Sequence, residues 1–211
     1  MQELERLLNE AWPGLSTEQS LRIQKFYEAL SAENEVQNLT RLISPTDFVE
    51  GHVIDVRELL NSGLLSFPAL DLGSGGGVPG LLAAAVTGND TWTLCDSEKM
   101  KADFLFRASA SLGLEKNVSV YAGRAEDFLR NRKVEAVVAR AVGPVERIYG
   151  WIGRCSTWNT LVLLKGPGWE EEWKAFQEGK HARKLKIADE YRYEVGPEKK
   201  KRVIVRLKRV K

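Results

Sequence analysis

The sequence predicts an α/β fold: a mostly parallel sheet flanked by helices, with an N-terminal helical cap and an antiparallel C-terminal hairpin. Three observations predict it. From residue 69 onward, short apolar strands alternate with apolar helical segments, the rhythm of a parallel sheet covered on both faces. The first strand runs through a glycine turn directly into a helix. The last two strand-like segments lie near Gly196-Pro197 with no helix between them, so they pair as a hairpin. At 211 residues and 43% hydrophobic, the chain can bury the core of one large domain or of one domain and a small appendage. The expected division is a helical cap over 1–65 and the α/β domain over 66–211.

Each element follows from local pattern. Residues 3–11 form a first amphipathic helix. Ser16-Thr17-Glu18-Gln19 is a capping box, opening a helix whose Ile23, Phe26, Tyr27 and Leu30 share one face. Ser44-Pro45-Thr46-Asp47 starts a third, with Pro45 where its missing N–H costs nothing and Gly63 as the stop. Strands are expected at 69–72, 91–96, 118–121, 134–139 and 159–165, then at 184–193 and 202–208 in the hairpin. The clearest intervening helix carries Met100, Phe104, Leu105, Ala108 and Leu112. Ligands of such open sheets bind beyond the carboxyl ends of the strands.

The most informative segment is Leu70-Asp71-Leu72-Gly73-Ser74-Gly75-Gly76-Gly77-Val78-Pro79-Gly80. Five glycines fall within eight residues, just where a helix start aims its free N–H groups at the turn. Glycine is needed where φ is positive or where a ligand must touch the backbone. A plain tight turn, needing one or two glycines, is the alternative. Gly75, Gly77 and Gly80 also fit the dinucleotide pattern, with Asp96 lying 21 residues beyond Gly75. However, the glycine that directly follows the strand is Gly73. From it the pattern becomes Asp71-x-Gly73-x-Gly75-x-Gly77, the form seen in S-adenosylmethionine (SAM) methyltransferases. A carboxylate at Asp71 can meet the methionine ammonium group, directly or through water, whereas it would repel a pyrophosphate. The methyl donor is favoured.

Other strand ends complete the candidate site. Asp96, ending the second strand, can accept both ribose hydroxyls or cap the helix that follows. Gly123-Arg124-Ala125-Glu126-Asp127 can read an adenine edge or simply start a helix. Arg140, in an otherwise apolar run, needs an anionic or polar partner, either a ligand or a structural carboxylate.

Composition narrows the setting. No stretch is apolar enough for a membrane span, and the acidic, amphipathic N-terminus is no secretory signal. Two cysteines, Cys95 in a strand and Cys155 near a helix end, make no disulfide framework, so a cytoplasmic location is expected. No metal site is expected. Residues 180–211 hold thirteen Lys and Arg against four acids, so the remainder of the chain is acidic. Such segregation suits a polyanion partner, although the run 198–202 also reads as a solvated loop.

Together, several motifs resemble one family in order and spacing. They are Asn38-Leu39-Thr40, His52-x-x-Asp55, the glycine run with Val78-Pro79-Gly80, Gly-Arg-Ala-Glu at 123–126, Arg-Ala-Val at 140–142 and Leu-Lys-Gly at 164–166. The chain is similar over roughly 20–205 to the bacterial small-subunit ribosomal RNA guanine-N7 methyltransferases, also called the glucose-inhibited division protein B family. The resemblance implies a Rossmann-like, SAM-dependent methyltransferase fold acting on one guanine N7 of 16S rRNA in the small ribosomal subunit. It implies SAM contacts at Gly73, Val78, Ala125, Glu126 and Arg140. It brings Asn38, His52 and Lys165, with Arg140, near the target nucleotide, and the basic C-terminal region onto RNA. A monomer is expected. Ser156-Thr157-Trp158-Asn159 replaces the family's glycine-rich turn, and Lys201-Arg202 stands where an Arg-His pair is usual.

Guanine N7 offers an in-plane lone pair, so the implied reaction needs no general base, only in-line placement. His52 shares the apolar side of its helix with Val49, Val53 and Val56, and serves for positioning or as a core histidine. Two other classes share parts of the pattern. A nicotinamide oxidoreductase would use the turn and Asp96 but needs a proton-transfer group, with only His52 and His181 as histidines. A non-catalytic RNA-binding module would keep the basic end and lose the cradle.

Overall fold

The computed structural model describes residues 2–88 and 90–210. One seven-stranded sheet runs in the order β3-β2-β1-β4-β5-β7-β6. Its strands are β1 (Ala69–Leu72), β2 (Trp92–Asp96), β3 (Val118–Ala122), β4 (Val134–Arg140), β5 (Trp158–Lys165), β6 (Leu185–Val195) and β7 (Lys200–Arg209). The first five are parallel, and β7 lies antiparallel between β5 and β6. Strand order reverses between β1 and β4, so a crevice opens at the carboxyl ends of those two strands.

The two faces bury separate cores. On one, α1 (Gln2–Ala11), α2 (Thr17–Gln37), α3 (Pro45–Phe48), a π-helical turn (Val49–Val53) and α4 (Ile54–Asn61) pack with α5 (Gly80–Thr87) and α6 (Lys99–Ser111). Leu4, Ile23, Phe26, Phe48 and Val53 join Leu81, Phe104 and Trp92 in one buried cluster. Each such side chain contributes about 1.5–3 kcal/mol, so the N-terminal helices are fastened by the same core that holds the sheet. On the other face, α7 (Ala125–Leu129), α8 (Val145–Ile152) and α9 (Trp169–Glu178) bury Phe128, Ile148, Trp169 and Phe176. None of the described helices is long and apolar enough to cross a membrane.

The local signals act as their chemistry dictates. Both halves of the Ser16–Gln19 capping box form, and the Ser44 side chain caps the helix that Pro45 opens. Two details differ from the sequence reading. The third helix is interrupted by the π turn, a distortion that aims Gly51 and His52 at the crevice. Asp96 is not the N-cap of α6. That position is Glu98, whose N–H donates to Asp96 Oδ1 at 2.9 Å, so the carboxylate closes a local turn instead.

Candidate active site

The glycine turn is built by backbone. Gly73 and Ser74 N–H both donate to the Cys95 carbonyl, at 2.8 and 3.0 Å, tying the turn to β2. Ser74 Oγ donates to Asp71 O and accepts from Cys95 N–H, closing the base of the turn. Gly75 N–H donates to Asp96 Oδ2 at 2.9 Å, and Gly80 N–H, at the start of α5, donates to Asp71 Oδ2 at 2.9 Å. At Gly73 φ is +70°, and a Cβ there would lie 2.9 Å from Val142 Cγ2. At Gly75 φ is +51°, but a Cβ would meet nothing nearer than Gly73 O at 3.8 Å. Open space over a left-handed glycine is what a ligand resting on backbone requires.

Asp71 lies behind this turn, 1% exposed. Burial pushes its carboxyl up to about 6, against the pull of the Gly80 N–H. Oδ1 has no partner among the described residues, so the group carries residual negative potential beneath the turn.

Three cavities run on from one another along the strand ends. A slot of about 120 Å³ is lined by Gly73, Cys95, Asp96, Gly123, Ala125, Glu126, Val142 and Trp151. It shares Gly73 with a cavity of about 510 Å³ lined by Leu39, Thr40, His52, Gly75, Val78 and Arg140. That cavity shares Leu42, Arg140 and Ala141 with a third, of about 400 Å³, whose walls include Asp55, Lys165, Tyr193 and Arg202. Ala141 sits at φ +57°, a strained conformation for a residue with a Cβ, at the wall between the second and third.

Arg140 is the hub. Its guanidinium meets Asp55 Oδ2 at 2.8 Å, the Gly51 carbonyl at 2.5 Å and His52 Nδ1 at 2.5 Å. Burial first, then the Arg140 charge, lower the His52 pKa to about 3. The imidazole is therefore neutral at ordinary pH, with Nε2 3.3 Å from Thr40 Oγ1. Asp55 Oδ1 accepts from Tyr193 Oη at 2.7 Å. Burial and the Asp55 charge together push the Tyr193 phenol up. Lys165 Nζ reaches the Gly143 carbonyl and Glu172, both at 2.8 Å.

The structure thus brings Gly73, Asp96, Ala125 and Glu126 to the slot, and Gly75, Val78, His52 and Arg140 to the central cavity. Lys165 joins Arg140 at the third. Asp71 and Gly77 are buried behind the turn and line none of the three. Asn38 is exposed and forms the left-handed C-cap of α2, while Leu39 and Thr40 beside it line the cavity. The Arg140 alternatives merge, since its carboxylate partner is Asp55 and it lines the cavity as well.

Sequence reasoning assigned no role to Asp55, Tyr193, Val142 or Trp151. Asp55 stands three residues from His52, a spacing that shares a helix face. Nothing local marks Tyr193, which reaches Asp55 across 138 residues of chain. The expected single basic edge divides. Arg206 pairs with Asp189, and Lys208 stands at the end of the hairpin opposite Lys199, Lys200, Lys201 and Arg202.

A family model described as rRNA small subunit methyltransferase G matches residues 19–197. The chain is 35% identical to the ribosomal RNA small subunit methyltransferase G of Solibacter usitatus over 178 residues, covering 83% of each chain. It is 38% identical to that of Novosphingobium aromaticivorans over 167 residues, covering 76% of this chain and 70% of that one. Among solved structures, an O-methyltransferase from Bacillus cereus in complex with SAH shares the fold, with a TM-score of 0.59 and 13% identity over 97% of this chain and 96% of that one. MtNAS in complex with S-adenosylmethionine does so with a TM-score of 0.58 and 15% identity, over 90% of this chain and 72% of that one.

Proposed function

The chain belongs to the rRNA small subunit methyltransferase G family, and from that premise we propose the reaction of this site: methyl transfer to N7 of a guanine in small-subunit rRNA. Membership makes the chain a SAM-dependent rRNA methyltransferase, and the nicotinamide reading lapses with it. SAM, when bound, supplies an electrophilic sulfonium methyl. The observation that carries the proposal is the junction at Arg140 and Ala141, where the glycine cradle opens into a cavity lined by cations.

The cradle residues fit that cofactor. Gly73 and Gly75 offer backbone without a Cβ in the way, and Asp96 supplies a carboxylate toward ribose hydroxyls. Ala125 and Glu126 line the slot where an adenine would lie. Asp71 acts from behind, holding the α5 N-terminus by Gly80 N–H and adding negative potential toward an ammonium group. Gly77 and Val78 shape the same turn.

On the acceptor side, Arg140, Lys165 and Arg202 line the cavity that takes the base and its phosphate. Arg donors suit guanine O6, and they must spare N7, whose lone pair is the nucleophile. No proton has to leave before attack. Neutral His52, held by Arg140 on one side and Thr40 on the other, therefore positions rather than acts as a base. Asn38 and the helices of residues 1–65 frame the entrance as a cap. Catalysis comes from alignment, which contributes several kcal/mol.

The test uses tritiated SAM and small-subunit rRNA from cells lacking this protein. N7 methylation puts a positive charge on the imidazole ring, so the RNA becomes cleavable by aniline after borohydride reduction. Label incorporated without such cleavage would move the acceptor to another atom.

A further inference from the structure

The hairpin carries its cations at two poles. β6 has eleven residues, which at ~3.3 Å each separate its ends by roughly 35 Å. Near its turn stand Lys199–Lys201 and Arg202, the last lining the acceptor cavity. Midway the charges are spent internally, Arg192 on Glu170 and Glu190, and Arg206 on Asp189. At the far end the balance reverses. Lys180 and Lys184 converge with Arg130 and Arg154 on a cleft of about 800 Å³ between α7, α8 and the turn before β6.

Among the described residues, Arg154, Lys180 and Lys184 have no carboxylate within 4.0 Å, whereas Arg130 is paired with Asp127 at 2.9 Å. Three unpaired cations facing one concavity repel one another unless an anion enters. All three are exposed, so they suit the hydrated, flexible phosphate chain of a polymer rather than a small anion that must be desolvated. The cleft meets the cofactor slot only at Glu126 and Trp151, so its occupant need not approach the methyl-transfer point.

We propose that this cleft is a second RNA site, which grips the phosphodiester backbone of a substrate segment remote from the target guanine. The proposal rests on the rRNA methyltransferase reading above. Two contacts on one folded chain make the second an intramolecular event, raising affinity for long RNA over a short one. In this proposal the three cations meet phosphates rather than base edges, so the cleft adds affinity and not sequence specificity.

The experiment compares wild type with Arg154→Ala/Lys180→Ala/Lys184→Ala, residues outside the methyl-transfer site. Binding to full-length small-subunit rRNA and to a minimal stem-loop carrying the target guanine is measured across a salt series. Calorimetry with SAM and a thermal melt confirm the fold. On full-length RNA the slope of log K against log salt should shrink by roughly two to three, with affinity at least about tenfold lower at low salt. On the stem-loop the affinity should change less than about twofold. An unchanged slope on full-length RNA, or an equal loss on both RNAs, overturns the second site. A wild type that neither binds nor methylates rRNA would instead sink the substrate reading itself, a result the first arm separates.

Discussion

The half of the crevice proposed for the cofactor and the half proposed for the acceptor are built by opposite means. The cradle is nearly all backbone, drawn from residues 71–80 and the end of β2, with carboxylates tying down amides. The acceptor cavity takes its charge from side chains on α4, β4, β5, β6 and β7, with the Gly51 and Gly143 carbonyls receiving two of its cations. Its centre is one ion pair, Arg140 with Asp55, whose side chains are 15% and 6% exposed. The cradle depends on conformations that only glycine reaches cheaply. The acceptor wall depends on charges that cannot be left alone away from water.

The sharpest break should therefore come at the ion pair. Arg140→Ala strands the Asp55 carboxylate with Tyr193 as its remaining side-chain partner, and losing one member of such a pair costs about 3–5 kcal/mol. Methyl transfer should vanish as well. Adding Asp55→Asn should return most of the stability in a urea melt and none of the activity. If the single variant melts like wild type, the pair is not what holds the acceptor wall. If the double variant regains turnover, Arg140 acts only as a brace.

On the cradle side the damage should be functional rather than global. Gly75→Val places a Cβ into open space at φ +51°, so the strain is about 1–2 kcal/mol. SAM affinity should nevertheless fall by about 100-fold, or ~2.7 kcal/mol, because the new side chain fills the ligand's place. Gly73→Val gives the contrast, since a Cβ there also strikes Val142 at 2.9 Å and should lower stability further. Calorimetry on folded Gly75→Val with wild-type affinity would remove the turn from the cofactor site.

This contrast explains what could be read from the chain. The cradle was legible because its parts are neighbours: Asp71, Gly73, Gly75 and Gly80 announce a turn by type and spacing. Strand and helix order followed from periodicity, and the Ser16 and Ser44 caps from local chemistry. The acceptor wall was hardly legible. Arg140 stood out as a charge in an apolar run, but Asp55 entered only as part of the His52-x-x-Asp55 motif, and nothing in its own pattern marked it as the partner of Arg140. Tyr193 looked like any aromatic in a strand, its partner 138 positions away. The two basic poles were hidden for a related reason. Ion pairs such as Arg192 with Glu170 depend on which elements become neighbours, so one-dimensional charge counting merges what the hairpin separates.

Protonation gives a subtler comparison. His52, lowered to about 3, leaves the native state unprotonated between about 3 and 6.5 while the unfolded chain takes up a proton. Its contribution to stability therefore falls as pH drops through that window. Asp71, raised to about 6, holds a native proton between about 3.8 and 6 that the unfolded chain has lost, so its contribution falls as pH rises. The two slopes oppose each other between pH 4 and 6. Asp71→Asn removes one of them, and its melting temperature should climb with pH across that range more steeply than that of wild type. The difference at pH 8 should be on the order of 2 kcal/mol in the variant's favour. Parallel curves for the two proteins would show that Asp71 does not titrate as its burial demands.

The smallest effect belongs to the hydroxyls that fasten β6 to α4. Tyr193→Phe removes the donor to Asp55 Oδ1 and keeps the ring in the acceptor wall. Asp55 still has Arg140 at 2.8 Å, so the loss should be about 1.5 kcal/mol, the worth of one hydrogen bond to a charge, against the larger loss in Arg140→Ala. Methyl transfer at saturating SAM and RNA should stay within about threefold of wild type, since no ligand contact is deleted. Tyr191→Phe should cost less again, because Glu58 retains Arg57 as a partner nearer the surface. If Tyr193→Phe instead cuts turnover as deeply as Arg140→Ala, the hydroxyl itself reaches the substrate. The division into a backbone cradle and a side-chain wall would then need one more polar contact on the acceptor side.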